Sequence, residues 1–267
     1  MWVDKGGLPG RYAATVAAGE RAVVLAGGKG TRLRPYTALL PKPLVPLGDR
    51  PILDIVLRQL HSFGFDRVTI TTGYLGGLIE AYFGTGEAQG LQVDYFREQE
   101  PLGTVGALAL VQDLPEDFLV INGDVLTDLD FGELLSSHRR HEAMITIATC
   151  NREVTIPLGV LRHEDPADPT RLTAYVEKPS IPYEASMGVY CVSRRVLDHL
   201  VPGDRVDFPD LVLRLIEADE VVRAFRPEGA YWLDIGTLGD YERALEDIDT
   251  LGDRLLPGGG GDVLPGL

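Results

Sequence analysis

The sequence predicts an α/β fold: a single Rossmann-like domain with a mostly parallel, mixed central sheet, helices on both faces and a smaller β-rich subregion. Three observations lead to this prediction. The chain has 267 residues, which fits one large domain better than two average ones. Through its first half, short apolar segments alternate with segments of helical period, as in parallel sheets. The second half is less regular and richer in short strand-like segments.

The elements of the first half follow from apolar periodicity and from glycine and proline positions. An apolar, β-branched run after Arg21 ends in glycines, as a buried parallel strand does before its loop. Pro51 stands at the permitted first turn of a segment of helical period. The predicted strands are 22–26, 67–71, 92–96 and 118–121, and the predicted helices are 52–63, 77–83 and 104–112.

The same patterns predict the second half and the ends of the domain. The predicted strands are 143–149, 159–162, 174–177 and 188–192, and the predicted helices are 194–200, 208–218 and 240–251. Residues 1–20 are rich in Gly and Ala and lack clean periodicity, which predicts a flexible leader. The domain itself is predicted at 21–252, and the Gly-rich residues 253–267 form a predicted flexible tail.

Composition excludes several classes of function. The net charge of −15 argues against a nucleic-acid partner, which requires a basic surface. No apolar run approaches the ~20 residues that span a bilayer, and no signal peptide is evident, so we expect neither membrane insertion nor export. The two cysteines, Cys150 and Cys191, lack metal-ligand spacing and form no disulfide framework, which favours a cytoplasmic location.

A basic, glycine-rich segment predicts an anion site. Residues 25–35 (LAGGKGTRLRP) follow the first predicted strand, and residues 41–46 (PKPLVP) come soon after. Glycines let backbone N–H groups approach phosphate oxygens, and Lys29, Arg32, Arg34 and Lys42 supply positive charge. A lone glycine loop is more often only a tight turn, but these basic residues reverse that interpretation. The spacing fits neither a Walker A loop nor the dinucleotide-binding motif.

Four further motifs follow in order, each weak when taken alone. Residues 100–107 (EPLGTVGA) also suit a helix start with Thr104 as its N-cap. The Asn-Gly-Asp at residues 122–124 ends a predicted strand and is by itself an ordinary turn. Residues 177–179 (EKP) form a common triplet, and residues 232–237 (WLDIGT) also suit a turn that Asp234 caps.

Together the five motifs closely resemble those of the sugar-1-phosphate nucleotidyltransferase (NDP-sugar pyrophosphorylase) family, over roughly residues 21–250. The resemblance implies a GT-A-like domain whose β-rich subregion binds sugar. It implies transfer of a nucleoside monophosphate from an NTP to a sugar 1-phosphate, release of pyrophosphate, a Mg²⁺ cofactor, and a homo-oligomer, dimer or tetramer.

The resemblance also implies residue roles. The implied catalytic residues are Arg32, Lys42, Asp124 and Asp234, and the two aspartates are the implied metal ligands. The implied nucleotide-binding residues are Leu25, Ala26, Gly27, Gly28, Gly30, Thr31, Arg32, Gln99, Pro101, Gly103, Thr104 and Asp124. The implied sugar-phosphate-binding residues are Asn122, Gly159, Glu177, Lys178, Met187, Gly188 and Trp232.

The substrates stay open at this point. Residues 96–104 (FREQEPLGT) and 122–128 (NGDVLTD) resemble guanylyltransferases of the mannose and heptose type, which favours GTP. Residues 186–190 (SMGVY) instead resemble adenylyltransferases that act on glucose 1-phosphate, so ATP, dTTP or UTP with glucose 1-phosphate is the alternative. A cyclitol phosphate is a further possible acceptor. Two rival functions are a non-catalytic nucleotide-binding module and a glycosyltransferase that uses Asp128 and Asp130 as a metal-binding Asp-x-Asp motif.

Overall fold

The computed structural model describes residues 19–163 and 166–255. Most of the predicted leader and tail therefore lies outside the described residues. The fold extends slightly beyond the predicted boundaries. Glu20 is buried and its carboxylate pairs with Arg139 at 2.8 Å, and the last helix continues to Leu255.

Among the described residues, the chain forms thirteen strands and five α-helices. The strands are β1 Arg21–Ala26, β2 Pro46–Leu47, β3 Arg50–Pro51, β4 Arg67–Thr72, β5 Gln92–Arg97, β6 Asp117–Asn122, β7 Val125–Thr127, β8 Ile145–Thr155, β9 Gly159–Arg162, β10 Ala174–Glu177, β11 Ser180–Ser193, β12 Val222–Phe225 and β13 Trp232–Asp234. The α-helices are α1 Ile52–Ser62, α2 Gly76–Phe83, α3 Phe131–Arg140, α4 Phe208–Glu217 and α5 Leu238–Leu255.

A seven-stranded mixed sheet forms the centre, in the order β12-β8-β11-β6-β1-β4-β5. Strands β6, β1, β4 and β5 run parallel, as does the pair β8 and β12. Strand β11 is antiparallel to both of its neighbours, β6 and β8. The hairpin of β9 and β10 supplies the smaller β-rich subregion. The predicted α/β fold with a mostly parallel, mixed sheet is confirmed.

Two apolar cores cover the two faces of this sheet. Alternate residues of β1 point to opposite faces: Val24 packs with α1, α2 and α3, whereas Val23 packs with α4. A third cluster joins α5 to the start of the chain's first long loop, around Leu33 and Ile235. In the described part of the chain, no helix has both the length and the apolar composition needed to cross a bilayer.

The structure corrects several predicted elements. The predicted helix 104–112 is a short 3-10 helix, Gly106–Leu110. The N–H groups of Val105 and Gly106, at its start, donate to the distant carbonyl of Val206. The predicted helix 194–200 is also a 3-10 helix, Arg194–His199. Strands β8 and β11 are longer than predicted. Strand β12 and helix α3 were not predicted as elements.

The topology gathers the motifs at one edge of the sheet. The carboxyl ends of β1, β4, β5 and β6 lie side by side, where open α/β sheets bind ligands. Strand β13 pairs with β7 in a register that sets Asp234 opposite Val125. The N–H of Ile235 donates to the carbonyl of Asp124 at 3.2 Å. This small ladder brings two carboxylates from distant parts of the chain to the same place.

Gly188 has a left-handed backbone conformation within β11. It lies in a register shift of the strand, with φ +72, and a Cβ at this position would stand 2.6 Å from Nδ2 of Asn122. Asn122 is the last residue of β6. A left-handed glycine with no side chain therefore leaves room for Asn122 at the carboxyl edge of the sheet.

We expect Gly188→Ala to lower the free energy of unfolding more than Gly203→Ala does. Both glycines have positive φ, but an added Cβ at Gly203 meets nothing within 4 Å. Gly203→Ala should cost only the left-handed backbone penalty of about 1–2 kcal/mol. Gly188→Ala should add roughly 1–3 kcal/mol of overpacking against Asn122. Urea unfolding of both variants measures the difference, and equal losses would contradict a steric role for this site.

Candidate active site

A cavity of about 940 Å³ opens at the carboxyl edge of the sheet. It is lined by Leu25, Gly27, Gly28, Lys29, Thr71, Gly73, Tyr74, Arg97, Glu98, Gln99, Glu100, Pro101, Gly103, Thr104, Asn122, Asp124, Arg205 and Asp207. A smaller cavity of about 270 Å³ adjoins it, and Leu25, Gly28, Lys29 and Asp124 line both. The smaller cavity is further lined by Ala26, Gly30, Thr31, Arg32, Lys42, Pro43 and Gly123. The predicted glycine loop and the predicted nucleotide turn thus face one continuous space.

The glycine loop is held by close backbone approaches. A Cβ on Gly73 would stand 2.7 Å from the carbonyl oxygen of Gly27, so these two strand-end turns touch through bare backbone. Gly30 has φ +58, its carbonyl accepts from Oγ1 of Thr37 at 2.7 Å, and a Cβ there would stand 2.9 Å from Cβ of Lys42. The loop is therefore packed directly on the lysine that follows it in the chain.

A lysine and two aspartates form the charged centre of the site. Nζ of Lys42 lies 2.5 Å from Oδ2 of Asp124 and 3.8 Å from Oδ1 of Asp234. The Lys42 side chain is only 10% exposed. Burial raises the pKa of Asp234 above its ordinary value, and the neighbouring charge of Asp124 adds to this, while Lys42 and Arg32 act in the opposite direction. All four predicted catalytic residues are thus electrostatically coupled.

The donor set fits a magnesium ion. Asp124 and Asp234 are both within reach of one cation, since each lies near the same ammonium group. Mg²⁺ is commonly held by one or two carboxylates, with substrate phosphates and waters in the other positions. Among residues 19–163 and 166–255, no group of three or more His, Cys, Asp or Glu side chains is placed to hold a metal. The site therefore suits an ion that takes most of its ligands from substrate.

The predicted nucleotide turn is braced by a segment far along the chain. The carbonyl of Leu102 accepts from Val206 N at 2.9 Å, and Gly103, with φ +78, leaves room for the Val206 carbonyl, which a Cβ would meet at 2.5 Å. Oδ1 of Asp207 accepts from both N and Oγ1 of Thr104, at 3.1 and 3.0 Å. Thr104 therefore does not cap a helix. We call residues 204–207 the brace.

The sugar-side residues are only partly gathered. Asn122 lines the main cavity, and its Oδ1 is buried without a hydrogen-bond partner in the described part of the chain. Nε1 of Trp232 donates to the carbonyl of Met187 at 2.6 Å. Met187 is fully buried and lines neither cavity, so its predicted contact with the sugar stays a prediction.

The rest of the sugar-side prediction lies on the β9–β10 hairpin. Gly159 pairs with Glu177, and a Cβ on Gly159 would clash with the ring of Tyr175. Lys178 has φ +46, a strained conformation for a side chain of this size, and donates its N–H to the carbonyl of Leu158 at 3.2 Å. Gly159, Glu177 and Lys178 do not line either of the two cavities described above. Their predicted contact with a sugar phosphate stays a prediction.

Several residues that line the main cavity were given no role at the level of sequence, among them Glu98, Arg205 and Asp207. Glu98 comes two residues after the predicted strand 92–96 and stands beside Gln99, so its position was a usable signal. The other two come from the brace, which lies about a hundred residues beyond the turn that it holds. No local sequence pattern predicts the contact between this segment and the turn.

We expect Asp207→Ala to raise KM for the nucleotide while changing kcat less. Loss of the carboxylate frees both donors of Thr104, which loosens the turn at the cavity wall. Asp210→Ala is the matched control, because Asp210 is an exposed acid in the first turn of the same helix and lies outside the cavity. Steady-state kinetics of both variants make the comparison, and an unchanged KM in Asp207→Ala would refute the positioning role of the brace.

Residues 21–250 match the family model described as Nucleotidyl transferase. The mannose-1-phosphate guanylyltransferase of Mycobacterium tuberculosis is 36% identical over 232 residues, which cover 85% of this chain and 64% of that protein. The UTP–glucose-1-phosphate uridylyltransferase of Synechocystis is 30% identical over 248 residues, covering 85% and 63%. The chain thus spans less than two thirds of the length of these relatives.

A solved structure with a similar fold extends this comparison. HddC from Yersinia pseudotuberculosis superposes with a TM-score of 0.67 at 28% identity, covering 86% of this chain and 99% of that one. The same protein complexed with GMP-PN superposes with a TM-score of 0.65.

Proposed function

The chain belongs to the nucleotidyl transferase family, and on that premise we propose that it joins the nucleoside monophosphate unit of an NTP to a sugar 1-phosphate and releases pyrophosphate. The observation that carries this proposal is the convergence of Lys42, Asp124 and Asp234 beside the glycine loop. This arrangement suits the handling of several phosphate groups in an otherwise acidic protein.

The chemistry requires no general base. A sugar 1-phosphate is an anionic nucleophile near neutral pH, so its attack on the α-phosphorus involves no proton removal by a side chain. The obstacles are the repulsion between two polyanions and the charge that develops on pyrophosphate. Positioning and electrostatic stabilisation overcome both. An active site without a nucleophile–base pair is consistent with such a reaction.

Each charged residue then has a distinct task. Arg32 and Lys42 neutralise the triphosphate, and backbone N–H groups of the glycine loop bind its oxygens. Asp124 and Asp234 would hold Mg²⁺, which supplies Lewis-acid stabilisation of phosphate charge when it is bound. Lys42 pairs with both aspartates, and this keeps their mutual repulsion in check.

GTP is the nucleotide that we propose, with Asn122, Trp232, Glu177 and Lys178 on the side of the sugar 1-phosphate. Support comes from the guanylyltransferase name of the Mycobacterium relative and from the GMP-PN bound to HddC. The uridylyltransferase name of the Synechocystis relative supports the alternative, UTP with glucose 1-phosphate. The homo-oligomeric state and the cytoplasmic location stay predictions.

The geometry disfavours the rival glycosyltransferase function. In the Asp-x-Asp segment, Asp130 caps α3 by accepting from Glu133 N at 2.9 Å. Oδ1 of Asp128 accepts from Tyr231 N at 2.6 Å, and its carboxylate pairs with Arg254. Both acids are therefore engaged in holding the fold. Neither lines the cavities at the sheet edge.

We expect Asp124→Asn and Asp234→Asn each to lower kcat by at least about 100-fold, because charge stabilisation of this kind contributes that much or more. Folding should be little affected, since each change removes one of two like charges. Asp130→Asn is the control and should keep near-normal activity, because an Asn can still cap α3. Pyrophosphate release, with unfolding followed in parallel, gives both readouts.

A matrix of GTP, ATP, UTP, dTTP and CTP against several sugar 1-phosphates tests the reaction itself. Pyrophosphate release with at least one pair supports the proposal. A glycosyltransferase would instead release no pyrophosphate but would consume a nucleotide sugar, and Asp130→Asn would abolish that turnover. Absence of pyrophosphate from every pair, together with no turnover of a nucleotide sugar, would favour the non-catalytic nucleotide-binding module.

A further inference from the structure

The backbone of Met187 and Gly188 lies at an irregular point of β11. The pairing of β11 with β8 shifts its register within 186–190, and the pairing of β11 with β6 begins at Val189. In the described part of the chain, neither ladder includes Met187 or Gly188. Gly188 lies directly against Asn122, which lines the main cavity. The cavity wall at Asn122 therefore depends on backbone that the sheet itself does not hold.

Trp232 supports this backbone from β13. Its Nε1 donates to the carbonyl of Met187 at 2.6 Å, and its ring packs against the apolar core that includes the Met187 side chain. The backbone of Trp232 pairs with Thr127 of β7, which fixes the strand but not the rotation of the side chain. The direction of the bond to Met187 therefore depends on what holds the plane of the indole.

Arg152 of β8 holds the indole at two points. Its Cζ lies 4.8 Å from the centroid of the Trp232 ring, well within the range of a cation–π interaction. Its Nη2 donates to the backbone carbonyl of Trp232 at 3.2 Å. A planar guanidinium suits this double contact, because it stacks on an aromatic ring while its N–H groups remain able to donate. One side chain thus contacts both the ring and the backbone of Trp232, which restricts rotation of the indole.

Arg152 lies outside the site itself. The neighbouring strand β12 ends its pairing with β8 at Ala148, so among the described strands residues 149–155 pair with β11 alone. We call 149–155 together with 180–186 the ribbon. A two-stranded ribbon is marginally stable without further contacts. Arg152 is half-buried and lines neither cavity, so its effect on a substrate has to pass through Trp232.

We propose that Arg152 is a positioning residue for the sugar 1-phosphate. It fixes the indole of Trp232, and Trp232 in turn holds the backbone of Met187 and Gly188 against Asn122. This inference rests on the proposed function, which places the sugar 1-phosphate on the side of Asn122 and Trp232. It assigns a role to a residue that belongs to none of the five motifs.

The nucleotide side and the metal ligands are held by other contacts. The glycine loop packs on Lys42, and the nucleotide turn bonds to the brace. Asp234 is fixed by its pairing with Val125 across β7. Loss of the Arg152 side chain should therefore weaken binding of the sugar 1-phosphate more than it weakens binding of the nucleotide or slows turnover.

We expect Arg152→Ala to raise KM for the sugar 1-phosphate about 10-fold, which is the scale of one cation–π contact or one hydrogen bond from a charged group. KM for the NTP and kcat should change little. Arg152→Lys keeps a cation above the ring and should recover part of the loss. Steady-state pyrophosphate release, with the pair of substrates that the wild-type protein uses fastest, measures these constants.

Tryptophan fluorescence gives a readout that requires no turnover. The chain has two tryptophans, so a Trp2→Phe background leaves Trp232 as the reporter. In this background Arg152→Ala should shift the emission of Trp232 to longer wavelength and increase its quenching by acrylamide, because the ring loses the guanidinium that covers it. Arg152→Lys should show a smaller shift.

Arg226→Ala is the matched control. Arg226 is exposed and donates two hydrogen bonds of 2.7 Å to Glu184. Glu184 lies on the opposite face of the ribbon from Arg152, because it is next to Tyr183, the cross-strand partner of Arg152. The control thus removes the same charge and a contact of the same ribbon, but it leaves Trp232 untouched. It should keep the wild-type emission and raise KM for the sugar 1-phosphate much less. Unfolding followed by circular dichroism checks that each variant folds.

Unchanged emission of Trp232 in Arg152→Ala would overturn the inference. An equal rise of KM in Arg226→Ala would do the same, as would a rise of KM for the NTP as large as that for the sugar 1-phosphate. Failure of the proposed function gives a different pattern, because the wild-type protein then releases no pyrophosphate from any pair, and the role of Arg152 is refuted as well. A wild-type protein that releases pyrophosphate, with an unchanged KM for the sugar 1-phosphate in Arg152→Ala, refutes the role of Arg152 alone.

Discussion

The repulsion between Asp124 and Asp234 is the constraint on which the rest of the site depends. The fold forces these carboxylates together through the pairing of β7 with β13 and through the bond from Ile235 N to the Asp124 carbonyl. Two like charges at such proximity are unfavourable unless a cation lies between them. In this protein Lys42 meets that need, and Lys42 is in turn packed against Gly30. The glycine loop, the lysine and both acids therefore form a single electrostatic unit.

Sequence predicted the sheet well because its signals are local. Each of these signals lies within a few consecutive residues. They are the apolar run of β1 with its terminal glycines, the proline before α1 and the alternating strands of the hairpin. Their order along the chain then predicts the parallel core. Local signals failed where the backbone bonds to something remote. The segment predicted as a helix at 104–112 forms only a 3-10 helix after Val105, and its start bonds to the distant Val206.

The site was predicted unevenly for the same reason. The glycine loop and the acids at strand ends have recognisable patterns, and the structure brings Arg32, Lys42, Asp124 and Asp234 together. Composition says nothing about which side chains close the cavity. Glu98 and Asp207 could be recognised as site residues only from the fold. The fold places Glu98 over Gly27 and Asp207 against Thr104. The hairpin that leads to Lys178 shows the opposite situation. Its motif is recognisable in the sequence, but the motif residues line neither cavity.

The brace is a surface connection that also supports the wall of the nucleotide cavity. Connections between a 3-10 helix and an α-helix are usually where chains tolerate insertions and exchanges during evolution. Here Val206 shares its backbone groups with Leu102, Val105 and Gly106. A length change in this outwardly ordinary connection would alter the wall of the nucleotide cavity. Divergence in substrate preference among descendants of this chain can thus arise in a segment remote from every recognisable motif.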